Sequence, residues 1–356
     1  MIKIIRVFIF IFLSGILSEA ILEALPSDWP KDKVILLPEM GSTPILVAIN
    51  SAKKSIDLTL YHLDDPQIID ALIKAKEKGV NVRIIFHKPH LYPSPFENKI
   101  NEETSEKLKA HGIIPHFLID HQYTLTHYKF IVIDHDFAVI QTFNYDDFNF
   151  KQARNFGLTI EDEKQVTALS RIFENDFTGN SFKNDEDVLN LWSQTNIILG
   201  PKEQRKFITD LLKSAKQSVY IYQQDLSDPE IGKVLSMLAK EGKRVEVLMS
   251  PEPFGGIDNN RLNQTIITAS GGGFRFHPKK ELYIHAKVIL IDPETDGQMY
   301  IGSCNLWPES LSRNRELGIV TRNKPQIDAV YKTFQKDWHT AYGYDEAKAR
   351  TSALKN

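Results

Sequence analysis

One stretch of this chain occurs twice. Residues 51–86 read SAKKSIDLTLYHLDDPQIIDALIKAKEKGVNVRIIF, and residues 214–249 read SAKQSVYIYQQDLSDPEIGKVLSMLAKEGKRVEVLM. The two align without a gap at an offset of 163. Ser51, Ala52, Lys53, Ser55, Asp65, Pro66, Ile68, Leu72, Gly79 and Val82 recur as Ser214, Ala215, Lys216, Ser218, Asp228, Pro229, Ile231, Leu235, Gly242 and Val245. Whatever unit the first copy forms, the second must form too, so the fold has to be built from two similar halves.

Each copy carries the same local signals. A helix ends near Ala52 or Ala215. A strand follows, with Ile56, Leu58 and Leu60 alternating on one face and SVYIYQQ in the second half. Asp65-Pro66 and Asp228-Pro229 have the form of an N-cap followed by proline at the first helical position. Ile68, Ile69, Leu72 and Ile73 recur at helical spacing, and Gly79 and Gly242 stand where a helix terminates. VNVRIIF and RVEVLM then read as buried strands. Strand, helix, strand in each half predicts an α/β architecture with mixed or parallel sheets.

At 356 residues the chain can hold two domains of ordinary size or one large duplicated unit. The expected division is a lobe over 21–177, a linker over 178–196, a second lobe over 197–340 and a polar, fraying tail over 341–356. Residues 1–20 combine Lys3 and Arg6, an apolar run from Val7 to Leu17 and a small-residue ending at Ala20. This is the pattern of a signal peptide cleaved after Ala20 and predicts a secreted or periplasmic protein. The alternative is an N-terminal membrane anchor. A formal net charge of −3 argues against wholesale binding of nucleic acid. A single cysteine, Cys304, excludes an intramolecular disulfide and reads as a packed small residue.

A second repeated element carries chemistry. THYKFIVID contains His127, Lys129 and Asp134, and IHAKVILID contains His285, Lys287 and Asp292. Each continues to a short segment ending in asparagine, QTFN at 141–144 and GSCN at 302–305. Further on come ARNFGLTI (153–160) and SRNRELGIV (312–320). Side chains alternate along a strand, so each histidine shares a face with its lysine. Each aspartate has the opposite parity and falls at a strand end. Two halves related by a pseudo-twofold can bring both His-Lys pairs to one pocket. Lysines with Asn, Ser and Thr donors suit an anion, phosphate above all. One neutral histidine can attack phosphorus, and the other can protonate the leaving oxygen. The lysines already supply positive charge, so neither a metal nor another cofactor is expected. His87 and His90 flank Pro89 in a loop and read as structural, with no Cys or carboxylate cluster to complete a metal site.

This constellation resembles the phospholipase D superfamily, across residues 30–340. The resemblance implies a duplicated α/β/α sandwich with one active site between the lobes. It also implies metal-independent phosphodiester cleavage through a phosphohistidine. The implied catalytic residues are His127, Lys129, His285 and Lys287, with Asn144 and Asn305 binding phosphate. Ser303 matches the motif serine, and Asp134 and Asp292 support the site. Glu316 matches the carboxylate that steadies a catalytic histidine. Two departures stand out: Gln141-Thr142 replaces Gly-Ser in the first half, with Thr142 keeping the hydroxyl, and Glu316 has its match at Gly157. In two-motif members the N-terminal histidine is commonly the nucleophile, which predicts attack by His127 and acid catalysis by His285. The substrate expected is a glycerophospholipid at a membrane surface, hydrolysed to phosphatidic acid. A cardiolipin-synthase-like phosphatidyltransferase is the alternative, and a secreted nuclease is disfavoured, as is a non-catalytic binding module. With both motifs in one chain, a monomer is expected.

Overall fold

A computed structural model describes residues 33–87, 95–118, 123–180, 185–253 and 260–353. The segment read as a signal peptide or anchor lies outside these, as does His90. Among the described residues no helix is long and apolar enough to cross a membrane.

The first half forms β1 (Val34–Leu37), β2 (Ser55–Leu60), β3 (Asn81–His87), β4 (His116–Leu118), β5 (Phe130–Ile133), β6 (Phe137–Gln141) and β7 (Ala153–Ile160). The second forms β8 (Ile197–Leu199), β9 (Ser218–Tyr222), β10 (Arg244–Met249), β11 (Gly273–Phe276), β12 (Tyr283–Ile284), β13 (Val288–Ile291), β14 (Gln298–Gly302) and β15 (Leu317–Thr321). The first sheet runs β1-β7-β6-β5-β2-β3-β4. The second, taken from its far edge, runs β8-β15-β14-β13-β9-β10-β11. The order is the same in both. β2, β3 and β4 are parallel, as are β9, β10 and β11, and the remaining pairs within each row are antiparallel. The duplication is therefore a duplication of mixed α/β lobes.

The repeated signals do what their chemistry predicts. Asp65 accepts hydrogen bonds from the N–H groups of Gln67 and Ile68 at the start of the helix Pro66–Glu77. Asp228 accepts from Glu230 and Ile231 at the start of Pro229–Lys240. These are capped helices with proline at the first position, where a missing N–H costs nothing. Gly79 and Gly242 follow the two helices at φ +90° and +82°, a region closed to most L-residues.

Three apolar cores result. One lies behind each sheet's outer face, and a third is shared. The shared core takes Tyr128, Phe130 and Phe156 from the first half and Tyr222, Val288 and Ile301 from the second. The helices Glu163–Phe177 and Lys324–Thr340 contribute Leu169, Phe173, Val330 and Phe334 to it. Burial of a common core fixes the lobes against each other.

Two buried ion pairs cross the same boundary reciprocally. Arg154 on β7 donates to Asp337 of the second half through Nε at 2.7 Å. Arg315, just before β15, donates to Asp176 of the first half through Nε at 3.0 Å and Nη2 at 2.8 Å. Each arginine is 2 % exposed, so its partner is required to offset the cost of its burial.

Two segments differ from expectation. The stretch read as a linker contains a helix, Asp185–Thr195. Trp192 packs on Phe207 with ring centroids 4.8 Å apart, so tertiary contact orders a sequence that is polar overall. The tail read as fraying forms the helix Tyr344–Ala353. Tyr344 meets Phe276 edge-on at 5.2 Å, and Ala347 is fully buried. Its few apolar residues sit where the second lobe can cover them.

Candidate active site

His127 and Lys129 lie in the extended lead-in to β5, and His285 and Lys287 in the lead-in to β13. They precede the regular strands instead of lying within them, because each lead-in pairs with the opposite lobe. The N–H groups of His127 and Tyr128 both donate to the carbonyl of Arg315, at 2.8 and 3.0 Å. Those of His285 and Ala286 both donate to the carbonyl of Arg154, at 3.2 and 3.0 Å. β12 continues this contact as a parallel pairing with β7. Each histidine is thus hung on the other half's backbone, and the two converge on one cavity of about 870 Å³.

Both histidines line that cavity, as do Asn144 and Asn305. The lysines sit behind its wall, 1 % and 0 % exposed. Lys129 Nζ donates to the carbonyl of His127 at 2.6 Å and lies 5.6 Å from the Tyr61 ring centre. Lys287 Nζ donates to the carbonyl of His285 at 2.5 Å and to Gln224 Oε1 at 2.9 Å. Tyr61 and Gln224 occupy corresponding positions in the repeat, so the halves hold their lysines differently.

The histidines also differ in what holds them. His127 Nδ1 stands 3.1 and 3.0 Å from the two carboxylate oxygens of Glu316. Burial pushes the Glu316 carboxyl up, but His127 and Lys129 together hold it below the usual range, so it is ionised. An ionised carboxylate only accepts, so Nδ1 carries the proton and Nε2 the lone pair. His285 Nδ1 instead meets Asn155 Oδ1 at 2.9 Å.

This sharpens one sequence expectation and corrects another. Glu316 belongs to the second half but steadies the histidine of the first. Its structural counterpart is Asn155, not Gly157: Thr142 N–H donates to the Phe156 carbonyl, as Ser303 N–H does to Leu317. Gly157 matches Gly318, two places further along.

Thr142 and Ser303 are both fully buried and act on those orienting residues. Thr142 Oγ1 donates to Asn155 Oδ1 at 2.8 Å, and Ser303 Oγ donates to Glu316 Oε2 at 2.5 Å. Neither lines the cavity. Asp134 and Asp292 are further away still, at the opposite ends of β5 and β13. Asp134 accepts the N–H groups of Lys53, Lys54 and Ser55 at 2.8, 2.6 and 2.8 Å. Asp292 accepts those of Lys216, Gln217 and Ser218 at 2.8, 2.7 and 2.7 Å. Their place is the start of β2 and β9, which they pin to the strand that carries the His-Lys pair.

The electrostatics favour an anion. Burial lowers His127 to about 4, with Lys129 and Lys287 adding to the effect against Glu316. Burial lowers Lys129 to about 7. Burial and the neighbouring cations push His285 and Lys287 well below their ordinary values. Four basic groups crowd the buried Glu316, while Asp64, Asp65, Asp146 and Asp147 also line the cavity. A bound phosphodiester would restore their charged forms.

Sequence reasoning passed over several lining groups, among them Tyr61, His62, Asp146, Tyr283 and Trp307. Their types are unremarkable in sequence, and only the approach of the lobes collects them. Among the described residues no cluster of His, Cys, Asp and Glu is arranged to hold a metal.

Two lobes of one mixed α/β design, sharing a cavity lined by a histidine from each, define the phospholipase D class of protein. The chain belongs to that superfamily, in the family described as cardiolipin synthase, PLD-like domain, which matches residues 45–177 and 208–338. Cardiolipin synthase 1 of Bacillus anthracis is 22 % identical over 345 residues, 88 % of this chain and 67 % of that protein. The phosphatidylserine synthase of Haemophilus influenzae Rd KW20 superposes with a TM-score of 0.65 at 15 % identity, covering 93 % of both chains. The polyphosphate kinase of Porphyromonas gingivalis gives 0.64 at 14 % identity; 86 % of this chain spans half of that one. These two structures share the fold.

Proposed function

We propose that the protein is a phosphatidyl transferase, which cleaves a phospholipid phosphodiester and passes the phosphatidyl group to an alcohol. The observation that carries this reading is the convergence of a histidine from each half on one cavity, each backed by a buried lysine, with Glu316 against His127. The family and the cardiolipin synthase relative favour transfer over the hydrolysis expected from the sequence. The lining agrees: Tyr61, Ile100, Leu125, Phe148, Tyr283 and Trp307 give the cavity an aromatic and apolar wall. The apolar part of this wall suits a lipid, beside polar groups such as Asp64, Asp65, Asp146 and Asp147 that suit an alcohol.

The roles follow from the two partners. His127 Nε2, its lone pair free while Glu316 takes the Nδ1 proton, attacks phosphorus. The carboxylate stabilises the positive charge that develops on the ring as the P–N bond forms. His285, charged once the anion is bound, gives its Nε2 proton to the departing alkoxide as the P–O bond breaks. It then takes the proton of the incoming alcohol, whose oxygen attacks phosphorus and releases His127. Lys129, Lys287, Asn144 and Asn305 supply positive charge and donors to the phosphoryl oxygens. Asp134 and Asp292 act at a distance, by fixing strands. Both histidines come from one chain, so a monomer is catalytically complete in this scheme.

The test uses vesicles containing phosphatidylglycerol, with and without an added primary alcohol, and product lipids resolved by mass spectrometry. Transfer predicts that the headgroup-exchanged lipid outpaces phosphatidic acid. Phosphatidic acid alone at high alcohol would return the assignment to a hydrolase. Cleavage of single-stranded DNA with no lipid turnover would remove phospholipids from the assignment.

A further inference from the structure

The amide that holds His285 is itself held. Asn155 Nδ2 donates to Asn149 Oδ1 at 3.0 Å. Asn149 Nδ2 donates to Asp146 Oδ2 at 2.6 Å, and the same oxygen lies 3.0 Å from His62 Nε2. An unbroken chain of hydrogen bonds therefore joins His285, Asn155, Asn149, Asp146 and His62. Of these five residues all but Asn155 line the cavity.

We propose that Asp146 positions His285 through Asn149 and Asn155, setting from a distance which nitrogen of that ring carries the proton. The inference takes from the preceding scheme only that the two histidines act on phosphorus and its leaving group. A carboxamide can present either its oxygen or its nitrogen to a neighbour, so an isolated asparagine would accept either tautomer of His285. Thr142 does not decide the matter alone: its hydroxyl accepts from the Phe156 N–H and donates to Asn155 Oδ1, but its second lone pair could also accept from a turned amide. Asp146 does decide it. An ionised carboxylate only accepts, so Asn149 must turn its NH₂ toward Asp146 and its oxygen toward Asn155. Asn155 must then turn its NH₂ toward Asn149 and its oxygen toward His285. The oxygen demands a donor, so Nδ1 is protonated and a neutral ring carries its lone pair on Nε2.

The corresponding residues of the other half make the contrast. Glu316 stands for Asn155, Ser310 for Asn149, Trp307 for Asp146 and Asp225 for His62. Asp146 and Trp307 are both N-caps of five-residue helices, and Ser310 Oγ donates to Glu316 Oε1 at 2.5 Å as Asn149 meets Asn155. The second half places its carboxylate directly on a histidine. The first half moves it two amides away and ends the chain on an additional imidazole. Both histidines obtain the same tautomer, but only His127 has a full negative charge against its ring. His285 is faced instead by Lys287 on its own segment and by Lys129, His127 and His62 from the other lobe. It is therefore the stronger acid of the two when protonated, and the easier to discharge.

The test reads tautomers in the intact protein by ¹⁵N-histidine NMR, with His285 identified by its loss in His285→Ala. Wild type should give a single Nδ1–H form. Asp146→Asn keeps a competent helix cap but can be donor or acceptor, so the lock is lost and a mixed population is expected. With it kcat should fall by on the order of 100-fold, the lower end of what a positioned acid contributes. The double variant Asp146→Asn/Asn155→Asp puts a carboxylate directly on Nδ1 and should restore the single tautomer, together with a higher titration midpoint for His285. A single unchanged tautomer in Asp146→Asn, or no restoration in the double variant, overturns the relay. Trapped phosphate on His285 instead of His127 would overturn the role assignment and leave the tautomer result to stand on its own.

Discussion

Glu316 of the second lobe holds His127 of the first, with both carboxylate oxygens within 3.1 Å of Nδ1. The partner of the proposed nucleophile thus comes from across the boundary between the halves. Glu316→Gln keeps the shape and removes the charge. Turnover should fall by on the order of 100-fold, and less phosphoenzyme should form, because the developing charge on His127 loses its counter-ion. Single-turnover quenching measures both. An unchanged phosphoenzyme yield would mean that His127 is not the attacking ring.

The two histidines should fail differently. His127→Ala should abolish phosphoenzyme altogether. His285→Ala should still form it from a substrate whose leaving group needs no proton, and then stall, since no base activates the acceptor. Acid-stable and acid-labile label, separated after quenching, distinguishes the outcomes.

The pH dependence of kcat/KM follows from the free site. His127 must be neutral to attack, so activity should be lost as pH falls through about 4. Lys129 must be charged to attract the anion, so activity should decline as pH rises through about 7. A bound phosphodiester favours charged lysine, so the alkaline limb of kcat should lie above that of kcat/KM. Rate profiles at saturating and at low substrate test the displacement.

An anion should stabilise the empty protein. Lys129 and His127 both bind protons less readily folded than unfolded. Their contribution to stability is therefore lost as pH falls, for Lys129 between its ordinary value of 10.5 and about 7, and for His127 between 6.5 and about 4. Tungstate at one fixed concentration, 100 times its dissociation constant at pH 6, should return about 2.7 kcal/mol at that pH. The rise in Tm should be larger at pH 6 than at pH 9, where Lys129 is mostly uncharged. Equal shifts at both would argue against anion binding at this lysine.

Asp134→Ala separates support from chemistry. Three backbone N–H groups lose their acceptor, at a cost of roughly 2–3 kcal/mol. Per folded molecule, kcat should stay within about twofold, because Asp134 does not line the cavity. Denaturant midpoints and active-site titration give the two quantities. A large loss of kcat in fully folded protein would place Asp134 in the catalytic set.

Much of this was legible in the linear order of residues. The gapless repeat, the Asp-Pro caps and the terminating glycines act over a few positions, and they fold locally as their types require. The His-x-Lys pairs were legible for the same reason. Residues whose role depends on the other half were not. Asn155 gives no signal in ARNFGLTI, and its match to Glu316 appears only once β7 and β15 are superposed. The helix at Asp185–Thr195 has too weak a pattern of its own and is fixed by Trp192 on Phe207.

The sequence by itself determined that two α/β lobes would form and that each would carry one histidine and one lysine. Tertiary structure alone decided which group steadies which ring. Side-chain spacing encodes direction along a strand but carries no information about what the opposite lobe presents. The reciprocal hydrogen bonds of His127 to Arg315 and of His285 to Arg154 set that approach. They place a carboxylate against one histidine and an amide against the other, and so make two similar halves chemically unequal.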